Sequence, residues 1–133
     1  MRFLADTSAW VEFLRDTGSQ ACETLDHAIR TSSKVATTDV VIMELLQGGP
    51  TRKTQDKVWG LMNWCVMYPT RPLFDYEVAA DLYHRCRGAG FTPANSNDLL
   101  VAAVAIGKDI PLLAADTAFE RIASVSSLSM ASV

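Results

Sequence analysis

Arg2-Phe3-Leu4-Ala5-Asp6-Thr7-Ser8-Ala9-Trp10-Val11-Glu12-Phe13-Leu14 is the stretch that decides the fold. Residues 2–5 read as a short buried strand. Thr7 and Ser8 then offer caps for a helix whose apolar face is Ala9, Trp10, Phe13 and Leu14. A strand that passes into a helix with no hairpin signal is the first half of a βα unit. Asp6 stands at the junction.

Outward from this unit, the chain keeps alternating. Gly18 breaks the first helix, and Ser19 can start a second with Ala21, Leu25, Ala28 and Ile29 at helical spacing. Residues 34–37 predict a strand. Thr38 and Asp39 are cap candidates for a helix to Leu46, stopped by Gly48-Gly49-Pro50. Residues 51–65 predict a helix with Val58, Leu61, Met62 and Cys65 on one face, followed by a strand at 66–68 that Pro69 ends. Residues 75–87 form a further helix, with Val78, Ala79, Leu82 and Cys86 on one side and Gly88 and Gly90 beyond it. Ser96 can cap a helix over 97–106 that Gly107 closes; it is apolar nearly all round and therefore buried. A buried strand over 111–115, a short helix over 117–123 and an edge strand at 128–130 complete the pattern. Strands alternating with helices predict an α/β fold with a mostly parallel sheet covered on both faces. The pattern does not give the strand order.

Composition sets the limits. The 133 residues, 49% hydrophobic and 20% charged, fit one globular domain spanning 1–133. The longest uninterrupted apolar run, residues 99–106, is far short of the roughly 18 residues that cross a bilayer. Asp6 interrupts the apolar N-terminus before a signal peptide could form. The expectation is a cytoplasmic protein without membrane contact. Cys22, Cys65 and Cys86 are odd in number and lack Cys-x-x-Cys spacing, which argues for buried reduced thiols over zinc or disulfides. A net charge of −3 argues against a protein that coats long nucleic acid, so any such contact is local or shared between subunits.

The chemistry lies in the carboxylates. Asp6 follows the first strand and Asp116 follows the strand over 111–115. In a parallel sheet the carboxyl ends of strands share one edge, and ligands bind there where the strand order switches. Asp98 lies in the first turn of a helix that starts near that edge. Glu44 is roughly 7 Å along its helix at 1.5 Å per residue, within reach of its longer side chain. Four acids from four segments thus converge, at a cost in mutual repulsion that a divalent cation removes. Oxygen ligands without His or Cys favour Mg²⁺ or Mn²⁺ over Zn²⁺. Such a site activates water and neutralises a phosphate, which points to phosphodiester cleavage. Singly, Asp6, Asp98 and Asp116 read equally as helix caps. Glu44, set among Val41, Ile42, Met43, Leu45 and Leu46, reads as a buried carboxylate in need of a partner.

The remaining residues are weaker candidates. Glu12, Asp16, Glu23, Asp26, Asp56, Asp81 and Glu120 fall on polar helix positions; Asp39, Asp75 and Glu77 read as caps. Thr7 or Ser8 could bond a phosphate or a ligand oxygen, and Asn97 could brace Asp98 or touch RNA, each against a plain capping role. Arg15, Arg52, Lys53, Arg71, Arg85 and Arg87 are candidates for tracking phosphates. His27 and His84 have no partner at ligand spacing, and Trp10, Trp59 and Trp64 suit core or dimer packing better than base stacking. An aspartyl-nucleophile phosphatase, or a receiver domain, would need a lysine by a later strand end; Lys34 and Lys108 are poorly placed, and Ser8 stands where the phosphatase needs a second acid.

Four stretches taken together resemble the PIN-domain ribonucleases, and within them the VapC toxins of toxin–antitoxin pairs. They are Leu4-Ala5-Asp6-Thr7-Ser8-Ala9-Trp10, Val41-Ile42-Met43-Glu44-Leu45, Asn97-Asp98-Leu99-Leu100-Val101-Ala102-Ala103 and Leu112-Leu113-Ala114-Ala115-Asp116-Thr117-Ala118-Phe119. The resemblance implies a three-layer α/β/α sandwich with metal-ligand roles for Asp6, Glu44, Asp98 and Asp116. It also implies a Mg²⁺- or Mn²⁺-dependent endoribonuclease acting on structured RNA such as tRNA or rRNA, usually a homodimer held in check by a VapB-like antitoxin. The chain departs from the family pattern at Ala114, where many relatives carry Thr or Ser, and at Ala118, where many carry a second Asp. These departures leave a second expectation open: a catalytically degraded PIN fold kept as a binding module for RNA or protein.

Overall fold

A computed structural model describes residues 2–93 and 95–131. Four strands form one parallel sheet: β1 (Phe3–Ala5), β2 (Val35–Thr37), β3 (Val66–Met67) and β4 (Leu112–Leu113), in the order β3-β2-β1-β4. Seven helices join and flank them: α1 (Thr7–Leu14), α2 (Gln20–Arg30), α3 (Asp39–Gly48), α4 (Arg52–Trp64), α5 (Phe74–Gly88), α6 (Ser96–Lys108) and α7 (Ala118–Ser124). Every residue of β1 and β2 is buried, so helices cover both faces and the fold is the expected α/β sandwich. β1 sits at the centre, with Leu4 aligned to Ala36 on one side and to Leu112 on the other. The strand order reverses direction at β1, which makes the β1/β4 junction the switch point. The core gathers Leu4, Trp10, Leu25, Val35, Val41, Val101, Leu112, Leu113, Phe119 and Ile122, all nearly or wholly inaccessible to water. Met1, at the head of the apolar N-terminal run, lies outside the described residues.

Several local expectations are corrected. The cap of α1 is Asp6, not Thr7 or Ser8: its carboxylate accepts the Ser8 N–H at 3.0 Å. The last of the four strands is two residues long instead of five, because β1 ends at Ala5 and leaves nothing for residues beyond 113 to pair with. The Ala115 N–H donates to the Ser8 hydroxyl instead. The edge strand at 128–130 shrinks to a bridge between Leu112 and Met130, in which the Leu112 N–H donates to the Ser129 carbonyl and the Ala131 N–H to the Leu112 carbonyl. α6 starts at Ser96 under an Asn95 cap and runs through Gly107 to Lys108. Gly107 is a packing glycine, not a stop: a Cβ there would stand 2.5 Å from Arg71 Nη2. The helix ends instead on Asp109, in the left-handed region at φ 52°.

Two acids read as caps have other work. Asp75 is buried, and its carboxylate accepts from the Arg71 backbone N–H at 2.7 Å and from Nη2 at 3.0 Å. Asp39 accepts from both the backbone N–H and the hydroxyl of Thr70 at 2.9 Å, pinning the β3–α5 loop to the start of α3. Those bonds, with one from Thr38, outweigh partial burial and hold the Asp39 carboxyl below its ordinary value. Cys22 and Cys86 are buried free thiols as expected; Cys65 is half-buried, and burial pushes its thiol up to about 12.

Candidate active site

The four acids come to the carboxyl edge of the sheet by separate routes. Asp6 is delivered by the central strand and fixed as the α1 cap, only 4% exposed. One oxygen, Oδ2, accepts from the Ser8 N–H and, at 2.8 Å, from the Ser8 hydroxyl. The other, Oδ1, is buried without a hydrogen-bond partner among the described residues. Buried carboxylate oxygens are rarely left so, because the lost solvation goes uncompensated. Glu44 is half-buried on α3 and has the partner that its apolar neighbours called for: the Thr7 hydroxyl donates to Oε1 at 2.7 Å. Asp98 is half-buried in the first turn of α6. Asp116 is exposed beyond β4, its Oδ1 accepting the Ala118 N–H at 2.9 Å in a local turn.

Electrostatics tie the four together. Burial pushes the Asp98 carboxyl up to about 7, and the charges of Asp6, Asp116 and Glu44 push in the same direction. Burial also raises Asp6; the Ser8 and Thr7 hydrogen bonds oppose this, and Glu44 adds to it. A buried acid whose raised pKa is reinforced by three other carboxylates marks a region of concentrated negative potential. Among the described residues no three acid, histidine or cysteine side chains are already drawn in to metal-binding distance. The charges of the four acids act on one another at this edge, but the side chains do not close on a common point: Asp98 and Asp116 line one cavity and Glu44 another.

Ser8 is the joint of this acidic edge. Its hydroxyl bonds Asp6 and receives the Ala115 N–H at 2.9 Å, so it fastens the exit of β1 to the exit of β4. Thr7 does the same between α1 and α3. Asn97 does not brace Asp98; its N–H completes the Asn95 capping turn. Of the basic candidates, Arg71 is committed to Asp75, Arg85 to Asp81 and the Val125 carbonyl, and Arg87 to Thr92. Arg15 lines a cavity of about 290 Å³ between α1, α3 and α4, together with Glu44 and Lys57. His27 and His84 are exposed, Trp10 is core, and Trp59 and Trp64 are partly exposed on α4. Sequence reading missed Arg121. It lines a smaller cavity with Asp98 and Asp116, and nothing in the spacing of residue 121 signals this.

A sequence profile of the PIN domain family matches residues 3–125. A VapC ribonuclease of Mycobacterium bovis and ribonuclease VapC11 of Mycobacterium tuberculosis are each 33% identical over 130 residues, covering 97% of this chain and 97% of their own. Among solved structures, VapBC2 of Rickettsia felis bound to a promoter DNA fragment superposes with a TM-score of 0.77 at 17% identity, covering 98% of both chains. Mycobacterium tuberculosis VapC20, described as a sarcin–ricin loop cleaving toxin, superposes with a TM-score of 0.65 at 16% identity, over 96% of this chain and 98% of its own.

Proposed function

From its membership of the PIN-domain family, on the VapC ribonuclease branch, we propose that this chain is a divalent-metal-dependent endoribonuclease, the toxin of a toxin–antitoxin pair. The observation that carries the reading is the acid cluster itself: a buried, unpartnered Asp6 Oδ1 and an Asp98 carboxyl that burial, reinforced by the charges of Asp6, Asp116 and Glu44, raises to about 7. Both features suit a hard cation, which would give Oδ1 its missing partner and turn repulsion into attraction. Asp6, Glu44 and Asp98 would hold Mg²⁺ or Mn²⁺, with Asp116 beside them. A bound ion of this kind activates water and neutralises charge on the phosphate under attack. The protein's own part is positioning. Ser8 fixes the rotamer of Asp6, and Thr7 fixes that of Glu44. The tie from Ser8 to Ala115 keeps the segment carrying Asp116 against the β1 exit.

The proposed substrate is structured RNA of the translation machinery, by likeness to the sarcin–ricin loop cleaving relative. The proposed partners are a VapB-like antitoxin, by likeness to the VapBC complexes, and a second copy of the chain, which only the family resemblance implies. No described helix is long and apolar enough to cross a membrane. A second reading, a degraded fold kept for binding, draws on Ala114 and Ala118 at positions where many relatives carry polar side chains. One experiment separates the two. Purified protein free of antitoxin is incubated with total cellular RNA in Mg²⁺ or Mn²⁺ and in chelator, beside Asp98→Asn. Discrete fragments that need both the metal and Asp98 are expected. Cleavage surviving chelator and the substitution overturns the four-acid site, and intact RNA in every lane favours the binding module.

A further inference from the structure

A cavity of about 210 Å³ has two of the four acids, Asp98 and Asp116, in its lining. Arg121 and the apolar Phe91, Pro93 and Ile122 line it with them. The Arg121 guanidinium lies 5.5 Å over the Phe91 ring. Among the described residues it pairs with no carboxylate, although two line the same cavity. Arg121 thus keeps both its charge and a flat stacking face.

We propose that this cavity is a nucleobase subsite, in which the base of a nucleotide next to the scissile phosphate stacks on the Phe91–Arg121 pair while the guanidinium meets a flanking phosphate. The proposal rests on the nuclease reading for the identity of the neighbouring phosphate. Its size fits one flat ring: clefts for drug-sized ligands run to roughly 300–1,000 Å³. Its chemistry fits as well. Aromatic and guanidinium faces are the surfaces on which unpaired bases stack, and a cation beside an acid cluster offsets the repulsion that a polyanion meets there. The two sides are held in advance by α5: Arg87 bonds the Thr92 hydroxyl at 3.2 Å, and Arg85 reaches the Val125 carbonyl just beyond α7 at 3.4 Å. A braced cavity loses less entropy when it is filled.

The test is an anisotropy titration of the full chain with four labelled RNA hexamers, oligo-A, oligo-C, oligo-G and oligo-U, in Mg²⁺ at low temperature. Wild type, Phe91→Ala, Phe91→Leu and Arg121→Ala are compared. Phe91→Leu keeps apolar packing and removes only the ring, which guards against a folding artefact. Both Phe91 variants should weaken the best-bound hexamer about tenfold and flatten the differences among the four. Arg121→Ala should weaken all four and lower the salt dependence by about one phosphate contact. Affinities equal to wild type in Phe91→Leu and Arg121→Ala, or no binding by wild type, overturn the subsite. Mapping cut sites in total RNA keeps the two ideas apart. Asp98-dependent cleavage at unchanged sites in both variants sinks the subsite alone, whereas Phe91-dependent binding without any cleavage sinks the nuclease alone.

Discussion

Replacing Asp98 with asparagine should make the metal-free protein more stable at alkaline pH while abolishing its activity. In the folded chain the Asp98 carboxyl titrates at about 7, against an ordinary value of 3.8. The native state therefore holds more protons than the unfolded chain between those two values, and stability falls as pH rises through that window. The loss is absent below 3.8 and complete above about 7. At about 1.36 kcal/mol per pH unit the whole displacement would be worth roughly 4 kcal/mol. Asp98 is only half-buried, and solvent screening reduces the usable part to roughly 1–2 kcal/mol. The amide in the Asp98→Asn variant carries no charge, so that variant should gain this amount at pH 8 in chelator and little at pH 4. Paired thermal melts read this as a Tm higher by roughly 3–8 °C at pH 8, with the two proteins converging in acid. Added Mg²⁺ should raise the wild-type Tm and leave the variant nearly unmoved. A difference between the two proteins that is the same at pH 4 and pH 8, or a variant less stable at pH 8, would refute the burial and repulsion that raise the Asp98 carboxyl.

Ser8→Ala removes two hydrogen bonds, to Asp6 and from Ala115; about 1–2 kcal/mol of stability should be lost. RNA cleavage should fall by more than the unfolded fraction explains, and normal cleavage by the folded variant would rule out the joint. Gly107→Ala should lose most of the roughly 1 kcal/mol that helix propensity alone would give it in urea denaturation, because its Cβ displaces the end of the Arg71 side chain beside Asp75. Combined with Asp75→Ala the loss should be less than additive, and an alanine that stabilises the chain by its propensity alone would show that the approach of Arg71 is unimportant. In chelator, wild-type cleavage should stop and return on adding Mn²⁺ or Mg²⁺, checked by gel on the same RNA.

What the sequence makes legible here is whatever repeats locally. The βα alternation follows from apolar spacing, and the acids stand out because each interrupts or borders an apolar run, as Asp6 does after Leu4-Ala5 and Asp98 before residues 99–106. Burial of Glu44's neighbours rightly implied a partner, which proved to be the Thr7 hydroxyl. The features that were not legible depend on proximity between distant segments. Gly107 looks like a helix stop until Arg71, from the loop before α5, is seen lying against it. Asp75 looks like an exposed cap until that same arginine buries it. The strand at 111–115 looks five residues long because Ala114 and Ala115 are apolar, but pairing ends where β1 ends. Arg121 has meaning only beside Phe91, thirty residues earlier in the chain. Strand order, and with it the switch at β1/β4, is a property of three-dimensional packing that periodicity does not encode.

Asp6 is at once the cap of α1 and an acid of the cluster, so its loss is felt twice. Removing a capping carboxylate costs roughly 0.5–2 kcal/mol of fold stability, and here it also frees the Ser8 joint. Asp98 carries no such structural duty, since Asn95 caps its helix. Two inactivated forms of this protein would therefore behave differently in a cell. A chain silenced at Asp6 would be prone to unfolding and clearance, and would leave the proposed antitoxin unengaged. A chain silenced at Asp98 would persist as an inert, well-folded competitor for that proposed partner, freeing active copies from it.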